Sequence, residues 1–150
     1  MESGLLLSGL FNGSIRVWDK WSWWWCLFAS GSWDRLVKIW NVSSGQCVRC
    51  LDEHSYNILD LVFVEHSNKL ISCSGDLSVR VWDLNTFTTS EIVPIGLVTS
   101  FTNINKDMNT IVCASYYDKC VRVWDLSRSE CLSMITTDFE ILKLEFISII

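Results

Sequence analysis

No cluster of Lys or Arg appears in this chain, and the net charge is -5. A domain that grips phosphate is expected to show a basic patch or stripe, so the composition argues against nucleic acid as a ligand. No apolar run approaches the roughly 20 residues that span a bilayer, which argues against a membrane. The opening stretch, MESGLLLSGLF, places an acid where a secretory leader wants basic residues, and Ser and Gly interrupt its apolar run. The expectation is an intracellular, reduced protein, cytoplasmic or nuclear. Of seven cysteines, only Cys47 and Cys50 sit as C-x-x-C. No second pair or nearby His completes a zinc site. No metal and no cofactor are expected. Most of the other cysteines lie in apolar runs and read as buried, inert thiols. Proline is nearly absent too: Pro94 is the only one, and it belongs at a strand edge or a turn.

What the chain has is hydrophobic residues, at 49%, and tryptophan, at nine. Its 150 residues suffice for one sizeable core. Six of the tryptophans crowd into VWDKWSWWWCLFASGSW, residues 17–33: Trp18, Trp21, Trp23, Trp24, Trp25 and Trp33. Four segments resemble one another: SGLFNGSIRVWDK, ASGSWDRLVKIWNV, SCSGDLSVRVWDL and ASYYDKCVRVWDL. Their tryptophans are Trp18, Trp40, Trp82 and Trp124, and 42 residues separate each of the last two from its predecessor. A fixed period of that size marks one supersecondary unit per repeat.

Within each segment an apolar run leads to a turn carrying Asn12, Asp34, Asp76 or Asp118, and the Trp follows six residues later. Asx residues suit such turns, because the side chain bonds its own backbone. The run into each Trp is β-branched and alternating, as in Val79-Arg80-Val81-Trp82, which predicts a strand. Further strands are expected at 58–64, 69–74, 89–95, 97–102, 110–115, 130–135 and 141–147, with no helix. Arg16, Lys38, Arg80 and Arg122 each stand two residues before a Trp, on the same side of the strand. A cation–π contact is the expected pairing.

The VRVWDL pair at 79–84 and 121–126, with its spacing to the preceding Asp, resembles the WD-repeat β-propeller family. The resemblance covers nearly the whole chain. It implies an all-β fold of antiparallel four-stranded blades around a central channel. It also gives an account of His54, Ser72, Asp76 and Trp82, a set that a search for hydrolases would pick out. In WD blades such a set forms one buried hydrogen-bonded tetrad, and a single chain of bonds satisfies every member. A catalytic Ser would also need a pocket and oxyanion donors. The Trp40 repeat keeps Ser30 and Asp34 without a His. The Trp124 repeat keeps Asp118, but Ala114 stands in place of the Ser. The first keeps Ser8 and Asn12.

Trp18 and Trp40 are only 22 residues apart. Half a repeat is missing, namely the last strand of one blade and the first of the next. WWWCLFAS is then the strand leading to Asp34, and the tryptophan cluster reads as a joint. The repeat pieces are about 1–20, 21–52, 53–95, 96–136 and 137–150, in a single partial domain. FEILKLEFISII resembles YNILDLVFV at 56–64, the first strand of a blade. Two architectures follow: an incomplete, open propeller, or a strained closed four-bladed ring in which strand 141–147 pairs beside 5–9. An open arc leaves apolar flanks that invite a partner or self-association.

Nothing in the sequence carries enzyme chemistry: no phosphate-cradling Gly loop, no paired acids in a cleft. The resemblance implies a non-catalytic scaffold for protein–protein interaction, and the chain reads as a fragment of a larger propeller. Two alternatives stand beside it. One is a truncated or misassembled product without independent function. The other is a single-stranded nucleic-acid binder that stacks bases on Trp and Tyr. In the family, the residue before the turn Asp often lies on the top face. Those positions hold Phe11, Trp33, Gly75 and Tyr117. Trp33, Arg35, Tyr116 and Tyr117 are therefore the candidate partner contacts.

Overall fold

Alternation along each repeat builds strands that bury both faces. In Val79–Asp83, Val79 and Val81 are buried on one face and Trp82 on the other. The computed structural model describes residues 7–10, 13–17, 27–64, 68–93, 98–103, 110–125, 128 and 130–144. Among them the regular structure is all strand, in three antiparallel sheets. The first sheet contains β1 (Leu7–Leu10), β2 (Gly13–Val17), β3 (Leu27–Ser32), β4 (Val37–Asn41) and β5 (Cys47–Leu51), in that order. The second contains β6 (Ile58–Val64), β7 (Lys69–Ser74), β8 (Val79–Asp83) and β9 (Thr88–Val93). The third contains β10 (Ser100–Asn103), β11 (Thr110–Ser115), β12 (Cys120–Asp125) and β13 (Glu130–Thr136).

The sheets stack as propeller blades, with the second between the other two. Leu61, Leu70 and Trp82 on its one face pack with Ala29, Val37 and Ile39 of the first. Val62, Ile71, Val79 and Val81 on its other face pack with Phe101, Ile111 and Cys113 of the third. Strand β6 lies against both β2 and β10, so these three form the inner row. Asp60 ties two of them together: its buried Oδ2 accepts the Ser100 hydroxyl at 3.0 Å and the Phe101 N–H at 3.2 Å.

The missing half-repeat has a structural consequence. Residues 1–20 and 21–52, read as separate pieces, contribute to one five-stranded sheet. The strand before Trp18, β2, pairs with β3 where β6 pairs with β7. Ile15 takes the position opposite Ser30 that Leu61 takes opposite Ser72. A third-strand sequence thus fills the first-strand place, and β1 is carried beyond the inner row. It can do so because β2 has the alternating β-branched character that the place requires.

Residues 141–144 do not form the strand expected over 141–147. They nevertheless run beside β10: the Leu144 N–H donates to Ser100 Oγ at 3.2 Å, and Thr99 Oγ1 donates to the Ile141 carbonyl at 3.4 Å. The arc is open among the described residues, where β1 pairs only with β2. The rest of the pairing imagined for a closed ring, at 5–6 and 145–147, lies outside them. So do Pro94, Phe11, Asn12, Cys26 and the cluster Trp18, Trp21, Trp23, Trp24 and Trp25.

Candidate functional site

The turn between the second and third strands of each blade is built by its Asp. Asp34, Asp76 and Asp118 each accept the backbone N–H two residues on, at 3.1, 3.0 and 3.1 Å. The residue between has positive φ in every case: Arg35 at 72°, Leu77 at 70° and Lys119 at 56°. This is the Asx geometry expected from the sequence.

In the second blade the turn anchors a buried network. Ser72 Oγ accepts the Trp82 indole N–H at 2.8 Å and lies 2.8 Å from His54 Nε2. Its one proton therefore goes to Nε2, which leaves His54 neutral with its proton on Nδ1. That proton is donated to Asp76 Oδ2 at 2.8 Å. The same oxygen accepts the Ser55 N–H, and Oδ1 accepts the Ser78 hydroxyl. Burial lowers the His54 pKa, against the opposing pull of Asp76. Burial alone would raise the Asp76 carboxyl, but hydrogen bonds from Ser78, His54 and Ser55 outweigh it and hold it at about 2. The structure brings His54, Ser72, Asp76 and Trp82 together and occupies every one of them internally. Ser72 is 0% exposed.

The neighbouring blades are wired more simply. In the first, Trp40 donates to Ser30 Oγ at 2.8 Å and stacks on Phe28, while Asp34 pairs with Lys38. In the third, the position equivalent to Ser72 is not Ala114. Strand β7 places Ser72 opposite Arg80, whereas β11 places Cys113 opposite Arg122. The shift arises because the chain reverses over residues 116–119 between Ser115 and Cys120, against 74–78 between Cys73 and Val79. A one-residue slip exchanges the faces of a strand, so Cys113 turns toward the second blade. Burial pushes its thiol up to about 12. The Trp124 indole N–H is correspondingly left buried with no hydrogen-bond partner.

A further sequence expectation requires correction. Lys38, Arg80 and Arg122 pair with Asp34, Glu53 and Asp118 rather than with tryptophan rings, because a carboxylate gives a stronger charge-assisted bond than a π face. Among the described residues, the cation over a ring is Arg49, 5.3 Å from Phe87; the Arg16 side chain lies outside them. Of the cysteines outside the C-x-x-C pair, Cys73, Cys113 and Cys120 are buried as expected and Cys131 is exposed on β13, while Cys47 and Cys50 are exposed on β5.

The candidate contacts sit on the turns. Trp33 is 65% exposed, Tyr117 73% and Tyr116 39%, and Arg35 is exposed beside Trp33. Tyr116 and Tyr117 meet edge to face, with ring centroids 5.4 Å apart. In the second blade, Gly75 has no side chain to offer. A Cβ there would lie 2.5 Å from the ring of Tyr56, and Tyr56, 60% exposed, occupies that space instead. Each blade thus presents an aromatic at its turn. Sequence reasoning missed Tyr56; the signal was a Gly where the other repeats have Trp33 and Tyr117.

Comparison with known proteins agrees with this geometry. Residues 45–83 and 95–125 match the family model described as WD domain, G-beta repeat. Periodic tryptophan protein 2 of Arabidopsis thaliana is 32% identical over 100 residues, covering 65% of this chain and 11% of the relative. The WD repeat domain-containing protein 83 homolog of Dictyostelium discoideum is 31% identical over 106 residues, covering 65% of this chain and 30% of the relative. The chain therefore spans less than a third of the length of either. The solved WD40 β-propeller domain of Doa1 superposes with a TM-score of 0.63 at 20% identity, over 74% of this chain and 36% of that one.

Proposed function

Because the chain carries WD40 repeats, we propose that it is a non-catalytic scaffold that binds another protein through the aromatic turns of its blades. One observation carries the reading. The His, Ser and Asp that could do chemistry are buried and bonded to one another and to Trp82. The large side chains left facing solvent at the turns are Trp33, Tyr56, Leu77, Tyr116 and Tyr117. Aromatic residues are common anchors at interfaces, since they desolvate a large area at low entropic cost. Arg35 adds a cation beside Trp33 that suits an acidic or carbonyl group on the partner.

The test is a selection of displayed peptides against the purified chain, with binding of the winners measured by fluorescence anisotropy. The combined Trp33→Ala, Tyr56→Ala and Tyr117→Ala variant should bind at least about tenfold more weakly, a loss of about 1.4 kcal/mol, at unchanged melting temperature. Equal binding by the variant overturns the assignment of the surface. A hydrolytic activity lost in Ser72→Ala at unchanged melting temperature overturns the non-catalytic reading.

A further inference from the structure

Each blade ends in an outer edge strand, and the three edges are not alike. Natural proteins blunt such edges, commonly by placing a charge within the strand. Strand β5, CVRCL, has Arg49 at its centre, and β9, TTSEIV, has Glu91. Strand β13, ECLSMIT, has one charge only, Glu130, at its first position. From Cys131 to Thr136 it is apolar or small and uncharged, it contains no proline, and every residue is exposed. Leu132 is 52% exposed, Met134 58% and Ile135 60%. All three outer strands shift register at the step into the repeat Trp, opposite Ile39 and Trp40, Val81 and Trp82, and Val123 and Trp124, so the bulge does not distinguish β13. Its side-chain content does.

We propose that β13 is a self-association edge, which pairs antiparallel with β13 of a second copy across a two-fold axis. The occupant follows from the pattern of the strand. A two-fold contact sets the strand against itself, so any charge near its middle would face its own kind. In β5 that would oppose Arg49 to Arg49, a destabilising pair. In β13, pairing about Ser133 opposes Cys131 to Ile135, Leu132 to Met134 and Ser133 to itself, and pairing about Met134 opposes Leu132 to Thr136, Ser133 to Ile135 and Met134 to itself, so no like charges meet. Apolar groups such as Leu132, Met134 and Ile135, half or more exposed in one copy, then cover those of the other. The two rows of free backbone groups satisfy each other at the same time. This contact is separate from the turn surface and from the blade flanks, so a scaffold dimerised this way would keep both sets of turns open.

Sedimentation equilibrium on the whole chain tests the proposal, with Met134→Lys as the disrupting variant and Val48→Lys on β5 as the control. Both positions are exposed, so folding is preserved and is checked by melting temperature. The wild type and Val48→Lys should dimerise alike, and Met134→Lys should weaken the dimer at least about tenfold. An equimolar mixture of Met134→Lys and Met134→Glu should recover dimers, because the two substitutions then oppose unlike charges. A wild type that stays monomeric up to the highest attainable concentration overturns the proposal. So does a dimer that Met134→Lys leaves intact, or an open-ended series of oligomers, which a two-fold contact cannot produce.

Discussion

The indole N–H of Trp124 has no partner because the side chain facing it carries sulfur where the second blade carries oxygen. Cys113→Ser should supply the acceptor that Ser72 gives Trp82, and chemical denaturation should read a gain of about 1 kcal/mol. Ala114→Ser, the change that sequence alignment alone would suggest, faces away and should give no gain; a reversed pair of results would refute the register. A second residue stores strain. Leu77 has φ 70° and a side chain that is 52% exposed, so Leu77→Gly should raise stability by up to about 1 kcal/mol. The tetrad sets the pH response. Burial holds the His54 imidazole below its ordinary value of 6.5 in the folded chain, so below that pH the unfolded chain takes up a proton that the fold refuses. Its contribution is full above pH 6.5 and is lost as the pH falls toward the depressed folded value. Hydrogen bonds hold the Asp76 carboxyl at about 2, below its ordinary 3.8, so its contribution is full above pH 3.8 and is lost in turn as the pH falls through about 2. Urea midpoints should therefore drop as the pH falls below 6.5, and His54→Phe, which cannot be protonated, should flatten that limb.

At the scale of the element, local pattern and tertiary choice part company. The repeat tryptophans, the Asx turns and the strand positions 58–64, 69–74 and 110–115 were legible, because each depends on spacing within a dozen residues. The inner placement of β2 was not, since a strand before one Trp reads the same whether it closes its own blade or opens the next. Nor was the register of β11, which depends on how many residues reverse the chain between Ser115 and Cys120. At the candidate surface, Trp33 and Tyr117 could be found by their place before the turn Asp, whereas Tyr56 reaches the same place from another loop. The first two blades meet at a point that makes their union testable. A Cβ on Gly31 of β3 would lie 2.4 Å from Ile58 Cγ2 and 3.3 Å from Leu61 Cδ1 of β6. Gly31→Ala should cost about 1–3 kcal/mol by forcing that interface apart, and pairing it with Ile58→Ala, which removes the Cγ2 that the new methyl strikes, should cost less than the sum of the two single changes. Additive effects of the two substitutions would mean that β3 does not bear on β6 there.

Across the whole molecule, stability should follow how many faces each blade has covered. A stacked repeat draws its stability from its own strands and from its neighbours. The second blade has two neighbours, and the residues that face them are sealed: Leu61, Leu70 and Val79 are 0% exposed. Among the described residues, the outer blades have one each. Trp40 of the first is only half-buried where Trp82 is sealed, and Val121 and Val123 of the third are half-buried where Val79 and Val81 are sealed. The same residue types in the same places thus differ by what lies over them. Native-state hydrogen exchange should then resolve a gradient rather than one cooperative limit. Amides of β7 and β8 should exchange slowest, those of β3, β4, β11 and β12 faster, and those of β13 fastest, since its neighbour β12 is itself open on one side. If the chain dimerises through β13, protection of that strand should rise with protein concentration while the order of the others is kept. Uniform protection across all three sheets would show that the blades unfold as one unit, and that the uncovered faces cost the arc nothing.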